Sequence, residues 1–172
     1  MRPELTYGLL AGAGVCVWMS VEFLLGFHTT RVAIGEYSGY FSTLIPLGMI
    51  FLLLKRKQAA APGAPLGFGR GILAGLSASF MAALVVYTFL VAYSQFINPG
   101  WLDYTLDWKV AQWRAQAVSE VEIRQNITFY RQANSPAGLI STIVLGMTLM
   151  GGLFSLWLTL VVRRMHRGPA AS

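Results

Sequence analysis

Apolar and polar residues divide this chain into four long greasy runs, separated by two short charged breaks and one long polar interval. The runs are Leu5 to Phe27, Tyr37 to Leu54, Gly71 to Ile97 and Pro136 to Val162. The shortest holds 18 residues, about 27 Å of helix at ~1.5 Å per residue, against a bilayer hydrocarbon core of ~30 Å. Each run can cross. Backbone groups in lipid have no water to bond, so a crossing segment takes helical form. The pattern predicts an all-α membrane protein, a four-transmembrane-helix bundle in one domain over 1–172, with spans near 5–28, 37–54, 71–97 and 136–162.

Within the runs the small residues are periodic. Gly8, Gly12, Val15, Met19, Glu22 and Gly26 alternate by four and three, one stripe of a helix that seams a left-handed bundle. Gly71, Gly75, Ser79 and Ala83 recur every four residues in the third run. Ser141, Thr148, Gly152, Ser155 and Thr159 form a comparable strip in the fourth. These strips predict close helix packing, within the monomer before any homo-oligomer. Pro46 sits mid-run in the second span and predicts a kink there.

The polar interval predicts an amphipathic helical segment between helices three and four, over about 101–134. Trp101, Tyr104, Trp108 and Ala111 fall about one turn apart, the pattern of interfacial anchors whose rings lie at headgroup level. A break near Ala117-Val118 is followed by a legible start: Ser119 as N-cap, Glu122 three residues on, Val118 and Ile123 as staple. Ser135-Pro136 supplies the cap and first-turn proline of the last span.

Composition agrees with the pattern: 55% of residues are hydrophobic and 12% charged, half the charge of an ordinary soluble domain, with a mean hydropathy of +0.57. The net charge of +6 invites nucleic acid until the charges are placed. One side receives Arg2, Lys55, Arg56, Lys57, Arg70, Arg163, Arg164 and Arg167 against Glu4 alone. The other receives five basic and five acidic residues. The positive-inside rule then predicts both termini in the cytoplasm, with anionic lipid rather than nucleic acid as the partner of the basic side. The Ala-Gly-Ala-Gly of the first run continues past a signal peptide's apolar core and reads as a retained helix. Cys16 reads as a packed thiol, and a single cysteine excludes an internal disulfide. The loop KRKQAAAPGAPLGFGR reads as flexible; no Gly-Lys-Ser/Thr follows its glycines, so it is no phosphate loop.

The order of these pieces is similar to a known family. An apolar first helix, a proline-kinked second, a basic loop leading to LGFGRGILAGL, then INPGW and a polar stretch with SEVEI before the last span resemble the bacterial membrane family called domain of unknown function 4199. The resemblance runs from about Tyr7 to Arg164, its most telling pieces being Ile97-Asn98-Pro99 and Ser119 to Ile123. The outer segment departs from the family's pattern in its tryptophans and near-neutral charge. The resemblance implies an integral membrane protein and carries over no catalytic residues.

Glu22 is the one charged residue within the four runs. It lies roughly 8 Å, about five residues, from the outer end, and its stripe points it at neighbouring helices. A charge at mid-membrane costs ~2.5–3.5 kcal/mol on insertion scales, so the group needs partners, a proton or water. Antiparallel threading predicts Ser42, Thr43, Tyr87, Thr88, Ser94, Gln95, Ser141 and Thr142 in its outer third. Two readings follow: a buried clamp between helices, or a proton or cation site in a small transporter. His28, six residues on, is predicted on another helical face, which argues against an acid/base pair with Glu22, and His28 and His166 are predicted at opposite membrane faces, so they form no joint site. Asp103 and Asp107 are four apart, which suits a helix dipole better than a metal. Asn126-Ile127-Thr128 in a predicted helix reads as a chance sequon. No catalytic spacing and no cofactor motif appears. The leading expectation is a non-enzymatic accessory or interaction protein; the alternative is an ion-coupled permease using Glu22.

Overall fold

The computed structural model describes residues 2–166, so Met1 and Arg167 of the basic tail lie outside the described residues, as does the side chain of His166. Helix α1 spans Pro3–Leu24, with proline at its start, where the missing N–H would have had no partner. It stops short of the predicted His28. Gly26 takes φ of +78°, which lets Phe27 N–H return to the Glu22 carbonyl at 2.9 Å and Gly26 N–H to Phe23 at 2.9 Å. This is a glycine-terminated Schellman end, after which Thr30 and Arg31 N–H both bond the Gly26 carbonyl. The chain turns back on itself instead of climbing another turn.

The second span begins earlier than predicted and is broken in two, α2 at Val32–Phe41 and α3 at Leu44–Ala59. Pro46 has no N–H for the Ser42 carbonyl and its ring crowds that carbonyl, so the kink falls at Ser42-Thr43. The two hydroxyls donate back to Gly39 and Tyr40 carbonyls, each at 2.6 Å. Helix α4, Phe68–Ala92, continues as a π turn over Tyr93–Ile97 and ends at Pro99. Helices α5, Trp101–Ala115, and α6, Glu120–Ala133, form the segment between the third and fourth spans. Ala117 between them has φ of +57°. Ser119 accepts Glu122 N–H at 3.3 Å, as its sequence position predicts. The last span runs through α7, Pro136–Leu139, a π segment over Ile140–Leu145, and α8, Gly146–His166. Ser135 Oγ accepts Gly138 N–H at 3.1 Å and caps it.

Among the described residues the regular structure is all helix, and four helical stretches are long and apolar enough to cross a membrane: Pro3–Leu24, Val32–Ala59, Phe68–Ile97 and Pro136–Met165. α4 sits between α1 and α8, while α3 closes the bundle against α8 and α1. The small-residue strips make these contacts. A Cβ on Gly8 would come 2.5 Å from the Ala78 carbonyl oxygen, and one on Gly12 would come 2.7 Å from Val85 Cβ. On the other face of α4, Gly71 meets Thr159, Gly75 meets Ser155, Ser79 meets Gly151, and Leu76 covers Gly152. Lipid tails are as apolar as leucine, so these faces hold by contact rather than by escape from water. Ser141 does not share the strip predicted for it: it is exposed, because the π segment after it shifts the helical phase.

Two apolar clusters fill the ends. Ile50, Leu53, Leu54, Leu66, Ala74, Ala78, Leu158 and Val162 pack at the basic end. Val15, Val86, Leu90 and Leu139 pack toward the other, with Cys16 and Tyr87 against them. The Ser79 hydroxyl is buried with no hydrogen-bond partner.

Substitution should report this packing directly. Gly75→Val places methyls against Ser155 and will lower stability by about 1–3 kcal/mol, read as a lower melting temperature in detergent. Gly48→Ala, where nothing lies within 4 Å, will not. Ser79→Ala removes an unpartnered hydroxyl and will leave the melting temperature unchanged or raise it; a clear loss would mean the hydroxyl is bonded.

Candidate functional site

The reversal at Gly26 determines what surrounds Glu22. Without it, His28 would sit a full turn above; with it, His28 Nε2 lies 3.3 Å from Glu22 Oε2. The expectation that these two residues cannot pair is therefore corrected, and the reason is a helix that ends at Leu24. Gly35 of α2 makes room for the turn, because a Cβ there would collide with the Phe27 carbonyl. Ser38, one turn further along α2, donates to Glu22 Oε1 at 2.5 Å, and Trp18 Nε1 donates to the same oxygen at 2.8 Å. The carboxyl is 3% exposed with three partners.

None of the predicted polar neighbours takes part. Ser42 and Thr43 bond their own helix at the kink, and Thr88 and Ser94 bond the carbonyls of Leu84 and Val91. Thr142 bonds back to Gly138, Tyr87 packs in the apolar cluster, and Gln95 and Ser141 are exposed. Antiparallel threading places groups at a depth but not around a helix. The partner from α4 is Tyr93, whose hydroxyl lies 2.7 Å from His28 Nδ1. Tyr93 opens the π turn, and Asn98 five residues on donates from Nδ2 to its hydroxyl at 3.1 Å. A π turn puts residues five apart on one face. Phe23 and His28 meet the Tyr93 ring edge-on at 5.7 and 5.6 Å, and Phe89 stacks on it at 5.8 Å.

The donors line up in one direction when His28 is neutral. Asn98 N–H goes to Tyr93, Tyr93 O–H to His28 Nδ1, and His28 Nε2–H to Glu22, so every polar hydrogen on the path has an acceptor. A second proton on His28 would turn Nδ1 from acceptor to donor and leave the Tyr93 hydroxyl hydrogen without the acceptor it has there. Burial accordingly outweighs the attraction of the Glu22 carboxylate and holds His28 below its ordinary 6.5.

Beside His28 lies a cavity of about 190 Å³, bounded by Phe27, Tyr93, Trp101, Trp108 and Lys109, room for several waters. Trp101 and Trp108 thus turn toward the bundle, while Tyr104 between them is exposed. Lys109 Nζ bonds Glu36 of α2 at 2.8 Å and lies 5.5 Å from the Trp108 ring centroid and 5.3 Å from that of Tyr130. Burial disfavours its charge, but the bond to Glu36 and the attraction of Glu36 and of Tyr130 outweigh burial and hold its pKa above the usual 10.5. One ammonium so ties α2, α5 and α6. Arg131 reaches Asp103 at 2.8 Å and Arg114 reaches Glu120 at 2.9 Å, exposed pairs that contribute little. Among the described residues no three His, Cys, Asp or Glu side chains form a group that could hold a metal ion.

Four apolar helical stretches enclosing a carboxyl–imidazole–phenol cluster at one end define a multi-span helical membrane protein. The chain matches the family model described as "Protein of unknown function (DUF4199)" over residues 6–164, and it belongs to that family. No curated protein and no solved structure matches it.

Neutral His28 has a pH signature. Because its folded pKa lies below the unfolded value, the unfolded chain binds the extra proton first, and its contribution to stability is complete above about pH 6.5 and is lost as the pH falls toward the folded value. The melting temperature in detergent will drop between pH 7.5 and 5.5, and His28→Gln will flatten that slope; an unchanged slope would remove His28 as its origin. Gly35→Ala will displace the turn at Phe27 and destabilise the fold by about 1–3 kcal/mol, measured by the same melt.

Proposed function

We propose that this protein is a non-enzymatic accessory or interaction protein of the bacterial inner membrane, both termini cytoplasmic, working through its outer helical pair α5–α6. The observation that carries this reading is the filling of the α1–α4 seam. Inward of Glu22 it is occupied by Val15, Gly12, Ala11 and Gly8 against Val86, Ala82 and Ala78, all buried. The polar cluster instead adjoins the cavity under α5, and Lys109 links that helix to α2. Such an arrangement suits a protein that holds or senses something at one face better than one that conducts across. The basic residues Arg2, Lys55 to Lys57, Arg70, Arg163 and Arg164 cluster at the other end, which supports that end as cytoplasmic.

A second reading, an ion-coupled permease with Glu22 as its proton site, is favoured by one fact: His28 returns to Glu22 and supplies the second ionisable group that a relay needs. The two readings part in experiment. Under the accessory reading, mild-detergent purification from native membranes recovers a stoichiometric partner, and wild type and Glu22→Gln show equal, background proton flux in liposomes. Wild-type flux abolished in a stably folded Glu22→Gln variant would replace it with the permease.

A further inference from the structure

At the opposite end from Glu22, the loop read from sequence as flexible is held in a defined shape by one buried side chain. Gln58 of α3 donates from Nε2 to the carbonyls of Ala61 and Ala64 at 3.3 and 3.0 Å and accepts Leu66 N–H at 2.7 Å. Arg163 of α8 fixes the far end, donating to the Leu66 carbonyl at 3.4 Å and stacking 4.4 Å over the Phe68 ring. The braced loop encloses a cavity of about 440 Å³ whose rim carries Arg56, Lys57 and Arg70. Glu4 neutralises Lys57 at 2.5 Å. Arg56 and Arg70 are exposed and make no ion pair among the described residues. The starts of α1, at Pro3, and α4, just after Leu66, both open onto this space, and helix N-termini favour negative charge.

The geometry points to a binding site for the phosphate of an anionic phospholipid, clamped between Arg56 and Arg70. Guanidinium groups recognise phosphate oxygens in pairs, and both arginines line the one cavity of about 440 Å³. Its depth selects a lipid over free phosphate. The site lies at the ends of three spanning helices, and one turn into the membrane from each arginine stands an exposed apolar residue on the same face, Leu52 below Arg56 and Leu73 below Arg70. A headgroup on the arginines would lay its acyl chains along these leucines. This inference is independent of what α5–α6 do.

The test uses the full chain in detergent, titrated with phosphatidylglycerol or phosphatidylcholine and read by native mass spectrometry. Wild type will retain phosphatidylglycerol preferentially; equal retention of the two lipids overturns the site, whatever the variants do. The double variant Arg56→Ala/Arg70→Ala will lose about thirtyfold in affinity for phosphatidylglycerol. Lys55→Ala/Arg164→Ala, which removes two exposed charges from the same end but off the cavity rim, will lose far less. Equal losses in both variants would reduce the effect to general surface charge and overturn the clamp. Displacement of the lipid by millimolar inorganic phosphate would reassign the site to a soluble anion.

Discussion

The bundle depends on how closely α4 approaches its neighbours. Helices already in lipid gain little from hiding apolar surface, so they associate where backbones can touch and dispersion contacts are dense. α4 offers glycine, alanine and serine on two sides: one receives α1 at Gly8 and Gly12, the other receives α8 at Gly151, Gly152 and Ser155. Those contacts determine the depth at which α1 ends, hence where Gly26 turns the chain and where His28 lands. A bulkier residue at Gly75 would therefore be felt well beyond its own contact.

The Glu22 cluster is what that placement allows. A carboxyl near the end of a span must collect donors, and here it takes them from its own helix, from the turn that follows it and from α2. α4 joins at one remove, through the Tyr93 hydroxyl on His28. Four separate segments thus converge on two side chains. Since partly satisfied buried networks are costly, the cluster holds α2 against α1 where Pro46 has interrupted the second span. Its order of donors and acceptors is that of a neutral imidazole.

Much of the architecture was legible. Run lengths, the Pro46 kink, the Ser119 and Ser135 caps and the small-residue strips are local or periodic properties, and a membrane simplifies the reading by allowing only satisfied backbones. The strips were legible as faces because 3.6-residue periodicity places Gly71 and Gly75 on one side whatever packs there. The site was legible only in part. Glu22 stood out because a charge in an apolar run is costly, and Trp18 was within reach as its i−4 neighbour. The left-handed glycine after Leu24 was the one signal for His28, and it was hidden by Gly26's equal fit to the packing stripe.

The sequence by itself determined that this chain crosses lipid as helices, which faces of them are narrow enough to meet, and that one carboxyl must find partners near one end. Only the tertiary structure decided which partners. Ser38 and Tyr93 reach the site from other helices by way of a kink and a π turn, and the rotation of one helix about its axis relative to another is set by contacts spread over both. The same holds at the basic end, where composition gave a flexible loop and Gln58, through three hydrogen bonds to backbone groups three to eight residues away, made it a wall.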